Sequence, residues 1–441
     1  MSNNYQLLQD TSVPVKLELP VTDETSKPQD PFAGHFAVKE TPPAVETMIK
    51  SRSASRWIRD IHQMVNNEVY SFQQTLMGKS GPEVFSNNRE MYMLSSYDYL
   101  GLLGHPHIEN GSINAIKKYG TGTGGARMLA GTNQLHRQLE AKIAQFKGKE
   151  AALTFSSGYM ANIAVINGIL QKNDRVIVDE SIHRSLMDAL SMAQVPFEKC
   201  RHNDMDHLNT LLEKPSTGKK TFIIIEGIYS MEGDLCPLPE IVALKKKHNA
   251  YLILDESHSF GVLGENGRGV DEHFGISPDE VDIYTSALSK AIPASGGFIA
   301  CSLQTVIFLQ HAATPFLFSG AMPPANAGAA LAALEVLETE GPERIKKVFE
   351  NTAYLKKHLS RLGYNTGVTK SPIIPVIIGH TEKTLALAAK LYELGILANP
   401  VIFPAIPPGG DRLRLCVTAA HTKHILDEII FAFSICYKIV A

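Results

Sequence analysis

Lys290 sits in the stretch TSALSKAIPASGG, directly after the short apolar run VDIY. Thirty-five positions earlier the longer run AYLIL ends in Asp255. A lysine that follows one strand and a carboxylate that ends another suit the chemistry of pyridoxal phosphate (PLP). The amine forms a Schiff base with the cofactor aldehyde, and the carboxylate keeps the pyridine nitrogen protonated so that the ring can accept electrons. Each residue has a plainer reading by itself. An aspartate at a strand end is commonly a turn former or helix cap, and a loop lysine is commonly a solvated charge. Their joint spacing, with glycine-rich segments upstream, favours catalysis.

The surrounding pattern supplies elements to hold them. Apolar runs of strand length occur at 151–155 (AALTF), 175–179 (RVIVD), 221–227 (TFIIIEG), 250–255 (AYLILD), 281–285 (VDIYT) and 297–302 (GFIACS). Most are continuously apolar rather than alternating, which predicts strands buried on both faces. Helical patterns intervene, such as 238–248 with Ile241, Val242 and Leu244. Thr132 can cap a helix carrying Leu135, Leu139 and Ile143, and Gly148 ends it. Strand–helix alternation of this length predicts an α/β fold with a mostly parallel sheet and right-handed crossovers. Ligand groups then belong beyond the C-terminal strand ends, where Glu226, Asp255 and Lys290 all fall.

Four regions are expected along the 441 residues. Residues 1–45 are polar and proline-rich, a composition that predicts a disordered or loosely docked arm. Residues 46–93 form an N-terminal helical segment, its helix over 47–74 with Ile49, Trp57, Ile58, Ile61, Met64 and Val65 mostly on one face. A large domain spans 94–340, and an Ala-rich helix at 327–341 leads out of it. A smaller C-terminal α/β domain fills 341–441. Its pieces are a helix near 343–362, the run SPIIPVIIG, a helix near 383–394, the strand RLRLCVT and a terminal helix from His421.

Composition excludes several classes. Hydrophobic residues make up 44% and charged residues 20%, values of an ordinary globular chain. A net charge of −3 gives no electrostatic basis for nucleic acid or anionic membrane as a main partner. The five cysteines are scattered, form no CxxC and are odd in number, which argues for a reducing compartment. No run is long and apolar enough to span a membrane, and the start MSNNYQLLQD lacks a secretory pattern. A cytoplasmic enzyme is the expectation.

Ten segments in order carry a resemblance: SSYDYLGLLGHP, YGTGTGGARMLAGT, FSSGYMANIAVI, DESIHRSL, EGIYSMEGDLCPL, DESHSFGVLGENGRG, SALSKAIPASGG, FSGAMPP, SPIIPVIIG and PPGGDRLRLCVTAAHT. Together they resemble the α-oxoamine synthases, PLP enzymes of aminotransferase fold type I, from about residue 94 to 435. The resemblance implies a large domain around a mostly parallel, seven-stranded sheet. It implies a decarboxylative condensation of an amino acid with an acyl thioester, carried on CoA or on an acyl-carrier protein. Lys290 would hold PLP and then remove the α-proton, and Asp255 would pair with the pyridine nitrogen. His183 would lie on the ring face, and His258 would reach the 3′-oxygen and the acyl carbonyl. Ser157, Gly158 and Tyr159 would set backbone amides on the phosphate at a helix start. Glu226 and Ser230 match the cofactor surroundings, and Arg414 matches a carboxylate-binding arginine. The family also implies a homodimer with shared sites.

Three residues depart from the family's pattern. Tyr97 stands where an asparagine commonly helps hold the amino-acid carboxylate, which makes it a substrate-site residue of altered chemistry. Ala287 replaces a hydroxyl residue that bonds the phosphate, and Ala321 replaces a serine that reaches the neighbouring subunit's phosphate. Another fold type I enzyme, such as an aminotransferase or aldolase, and a non-catalytic partner subunit are the alternative readings. Retention of Lys290, His183 and His258 speaks against the second.

Overall fold

The computed structural model describes residues 45–86, 89–215 and 220–440. The arm expected over 1–45 lies outside the described residues except for its last position. Two compact units are present, one ending at Glu68 and the other beginning at Val69.

In the first unit a helix runs Arg52–Asn66, and the Ser51 hydroxyl caps it by accepting from the Ala54 N–H at 3.0 Å. The helix expected to reach 74 stops here because Glu68 takes a left-handed backbone conformation, φ 56°. The helical segment expected as far as 93 is therefore corrected. Past the helix come the strands β1 (Leu76–Met77), β2 (Glu83–Ser86) and β3 (Arg89–Met93).

The large sheet has seven strands: β4 (Ala151–Phe155), β5 (Arg175–Asp179), β6 (Phe197–Cys200), β7 (Thr221–Glu226), β8 (Tyr251–Asp255), β9 (Ile283–Ala287) and β10 (Gly297–Cys301). Their order is β4-β10-β9-β8-β7-β5-β6. Only β10 runs antiparallel to its neighbours, so the sheet is mostly parallel, as expected. Successive residues of β7 feed two different cores. Ile223 and Ile225 join one cluster, and Phe222 and Ile224 join the cluster on the other face. That double burial is why these strands read as unbroken apolar runs. The edge strand β6, with Glu198 and Lys199, has one neighbour and gave no such signal.

A third core lies around the antiparallel sheet of β11 (Ile373–Ile377), β13 (Pro400–Val401) and β14 (Arg412–Cys416), while β12 (Ile396–Leu397) pairs with β3. Leu355, Leu359, Ile374, Leu413 and Leu415 fill that core. One helix, Pro324–Arg361, replaces the two helices expected at 327–341 and 343–362 and carries Pro342 inside it. Its first half packs on the large domain and its last turns on the third core. The helix Pro106–Tyr119 crosses it where Gly111 meets Gly328. A Cβ on Gly328 would lie 2.5 Å from the Gly111 carbonyl oxygen, so only glycine allows the backbones this close.

Candidate active site

Two neighbouring strands finish level at one rim of the large sheet, and a third runs on beside them to Ala287. Glu226 of β7 is in register with Asp255 of β8, and Asp255 with Thr285 of β9. This is the C-terminal edge, where a parallel sheet presents its ligand groups. Lys290 follows β9 by a short loop, and its Nζ lies 3.0 Å from Nε2 of His258. Removal of the amine from water is the largest influence on it, and the carboxylates of Asp255 and Glu226 partly offset that. The net effect pulls the Lys290 pKa down to about 8. Burial, with Lys290 next, holds His258 well below an ordinary imidazole, so that ring is neutral.

Asp255 is buried, and each of its oxygens has one donor. One oxygen accepts from the Ser257 N–H and the other from Asn162 Nδ2, each at 2.8 Å. Asn162 also donates to Ser185 Oγ at 2.8 Å. Glu226 accepts from the His183 backbone N–H, and burial followed by the charge of Asp255 pushes its carboxyl well above the usual range. His183 caps the helix Arg184–Ala193, its Nδ1 accepting from the Ser185 N–H at 3.2 Å. The His183 side chain is exposed.

Ser157 caps the helix Gly158–Ile169 by accepting from the Met160 N–H at 3.2 Å. A Cβ on Gly158 would sit 2.8 Å from Cβ of Ala287, so the helix start rests directly on β9. The small residue at 287 and the glycine at 158 are two sides of one close approach. The Tyr159 hydroxyl donates to Asp188 at 2.5 Å.

The C-terminal domain contributes Arg414 from β14. Its Nε donates to the Ser230 carbonyl and its Nη1 to Cys416 Sγ at 3.2 Å. Ser230 thus takes part through its backbone. The Tyr97 ring lies 4.8 Å from the guanidinium carbon, with its edge toward His258. Arg414 Nη2 is buried without a hydrogen-bond partner. A cleft of about 570 Å³ opens beside Lys290, lined also by Tyr97, Asp98, Asn326, Leu397 and Asn399. Ala321 lies farther off, its N–H donating to the Gly125 carbonyl and tying FSGAMPP to the glycine-rich loop at 120–131.

Lys290, His258, Asp255, Glu226, His183 and the start of the helix at Gly158 therefore share one rim, and Arg414 with Tyr97 borders it. Asn162, Ser257 and Tyr99 were missed in the sequence. Ser257 Oγ accepts from the Ala287 N–H at 3.0 Å, and the Tyr99 hydroxyl lies 2.8 Å from His258 Nδ1. Asn162 had a legible signal, since it lies one helical turn from Gly158 on the same face. Tyr99 had none, because its partner is 159 residues away.

The residues present fit PLP. A desolvated amine faces a carboxylate whose two oxygens are already oriented. A capped helix start of a dozen residues can receive a phosphate, and Thr285 Oγ1 is a buried hydroxyl without a partner. Among the described residues no helix is long and apolar enough to cross a membrane.

A family model for aminotransferase class I and II matches residues 89–433. The chain is 40% identical over 378 residues to 8-amino-7-oxononanoate synthase of Symbiobacterium thermophilum, covering 86% of this chain and 96% of the relative. It is also 40% identical over 362 residues to serine palmitoyltransferase of Bacteroides thetaiotaomicron, covering 82% and 91%. Among solved structures, serine palmitoyltransferase from S. paucimobilis with a bound PLP–myriocin aldimine superposes with a TM-score of 0.85 at 28% identity, over 89% of this chain and 99% of that one. An 8-amino-7-oxononanoate synthase from Francisella tularensis superposes with a TM-score of 0.69 at 27% identity, over 79% and 97%. The chain belongs to the aminotransferase class I and II family and, within it, to the α-oxoamine synthases, PLP-dependent acyltransferases that condense an amino acid with an acyl thioester and release CO₂.

Proposed function

We propose that Lys290 is the central base of this condensation and the residue that carries the cofactor. The observation behind the reading is its setting. The amine lies 3.0 Å from His258 and is withdrawn from water, with a pKa lowered to about 8. Roughly one amine in ten is then uncharged at pH 7, far more than for an ordinary lysine. PLP, when bound, supplies a sink for the electron pair freed at the amino acid's α-carbon.

The other residues orient and stabilise. Asp255, fixed by Asn162 and Ser257, holds a proton on the pyridine nitrogen. Glu226 holds the His183 backbone, and the His183 ring would help hold the cofactor. The amides at Ser157, Gly158 and Tyr159 receive the phosphate. Arg414, whose Nη2 lacks a partner, takes the amino-acid carboxylate once Tyr97 turns aside. His258 gives a hydrogen bond to the acyl carbonyl oxygen as negative charge develops there.

The working form is a homodimer with shared sites. Leu129, on the loop that follows YGTGTGG, and Phe318, at the end of the helix Thr314–Phe318 that opens FSGAMPP, are 82% and 80% exposed, and burying both favours a second copy there. The acyl group comes from CoA or from an acyl-carrier protein. Five unpaired thiols suit the reducing cytoplasm.

Lys290→Ala tests the assignment. Borohydride reduction and digestion should place the pyridoxyl group on Lys290 in the unchanged protein and nowhere in the variant. A pyridoxyl group on another lysine would end the site assignment. Spectral shifts with Gly, Ala and Ser, then mass spectrometry of products with acyl-CoAs of graded length, identify the substrates. CO₂ release that needs the thioester separates condensation from transamination.

A further inference from the structure

Tyr99 is the largest buried side chain that touches the reacting groups, and no role described above uses it. It is 1% exposed, and its hydroxyl oxygen lies 2.8 Å from Nδ1 of His258, whose Nε2 lies 3.0 Å from Lys290 Nζ. The segment carrying it is held from several sides. The Tyr99 carbonyl accepts from the Ala419 N–H at 2.8 Å, and the Asp98 carboxylate accepts from Leu102 N–H at 2.7 Å and Leu103 N–H at 3.1 Å. A Cβ on Gly101 would lie 2.6 Å from Ala420 Cβ, so this turn has no room to shift.

A neutral imidazole has one donor nitrogen and one acceptor nitrogen, and the partner of one decides the other. Burial keeps the Tyr99 phenol protonated, and the Arg414 guanidinium bears on its oxygen as a nearby positive charge. Arginine has no acceptor, so the phenol hydrogen is free to point at His258 Nδ1. That leaves the imidazole hydrogen on Nε2, the nitrogen that faces Lys290 and the reaction space. We infer that Tyr99 is a positioning residue: it fixes His258 as the Nε2–H tautomer, so that a neutral histidine presents a donor to the reacting oxygen. Two influences compete: a charged Lys290, which would itself donate to Nε2, and the Cys416 sulfur, a second and weaker acceptor beside the phenol. Removing that ammonium exposes the preference set by Tyr99.

The inference rests on the donor role proposed for His258, and one set of variants separates the two. The full chain, labelled with ¹⁵N-histidine, is observed by long-range ¹H–¹⁵N NMR, and the His258 signals are identified by their loss in His258→Gln. In Lys290→Ala, without PLP, the hydrogen is expected on Nε2 of His258. In Lys290→Ala/Tyr99→Phe the two tautomers are expected to mix. In the PLP-loaded enzyme Tyr99→Phe should lower kcat by roughly 10- to 100-fold, part of the 10²–10⁴ that a positioned proton donor contributes, while amino-acid affinity holds. A hydrogen on Nδ1 in Lys290→Ala overturns the inference, and that spectrum decides even if the double variant does not fold. A tautomer unmoved by Tyr99→Phe overturns it as well. Full turnover in His258→Ala would instead remove the donor role itself.

Discussion

Glu226 and Asp255 end adjacent strands in register, two carboxyls side by side at one sheet rim. Asp255 holds two donors, from Asn162 and Ser257, whereas Glu226 holds one, from the His183 backbone. Two adjacent buried carboxyls share charge poorly, so the proton resides on Glu226.

A pH dependence follows. Burial and then Asp255 raise the Glu226 pKa well above 4.5 in the folded protein. A raised folded value means that the native state binds this proton more tightly than the unfolded chain does. The stabilisation is complete below the unfolded value and is lost as pH rises through the folded one. Glu226→Gln keeps a carbonyl acceptor for the His183 N–H and has nothing to titrate. Its Tm should therefore fall less steeply than that of the unchanged protein as pH rises above 4.5. Parallel melting curves across pH would place the proton elsewhere.

Lys290 gives a kinetic counterpart. With a pKa near 8, its capture of added PLP by the cofactor-free protein should speed up with pH and level off above about 8. Absorbance of the bound cofactor follows this directly. A profile still rising toward 10.5 would mean an ordinary solvated amine.

Arg414 and Tyr97 carry opposite expectations. Arg414→Ala should raise the amino-acid Kd by roughly 30- to 1000-fold, from about 2–4 kcal/mol for a charge-assisted pair, with PLP binding little changed. Tyr97→Asn removes the ring that covers the guanidinium at 4.8 Å and should tighten amino-acid binding. Titrations that find Arg414→Ala within about threefold, together with a collapse in Tyr97→Phe, would mean that another group reads the carboxylate.

Asn162→Ala removes the donor to both Asp255 and Ser185. Leaving a buried carboxylate oxygen short of a partner should cost about 1–3 kcal/mol of stability and weaken PLP binding. Calorimetry and PLP titration of the variant check both. Unchanged values would show that water replaces the amide without loss.

Sequence patterning reached the large domain well because burial on both faces writes itself plainly. Val176, Ile177 and Val178 alternate between two cores and are all apolar. It failed where tertiary partners decide. Glu198 and Lys199 sit in an edge strand, and Glu68 ends a helix whose apolar pattern continued. The helices expected at 327–341 and 343–362 are one, and it passes through Pro342 because both of its ends are buried in cores. In the site, Lys290, Asp255 and Glu226 were legible as strand-end residues. Ala287 was legible only as a departure, and Gly158 explains why a small residue stands there. The partnership of Tyr99 with His258 depends on the register of distant segments, which one chain read in order does not disclose.

The helix Pro324–Arg361 also constrains what evolution and engineering can do to this chain. It is a ruler of about 57 Å, anchored at Gly328 against Gly111 and at Leu355 and Leu359 in the third core. Substitutions on its outer face leave that gauge intact. A single inserted or deleted residue between the anchors would turn the far end by about 100° and swing both leucines out of their core. Length variation across relatives should therefore gather in the connecting loops, and a fusion or tag placed inside this helix should unseat β14, and Arg414 with it.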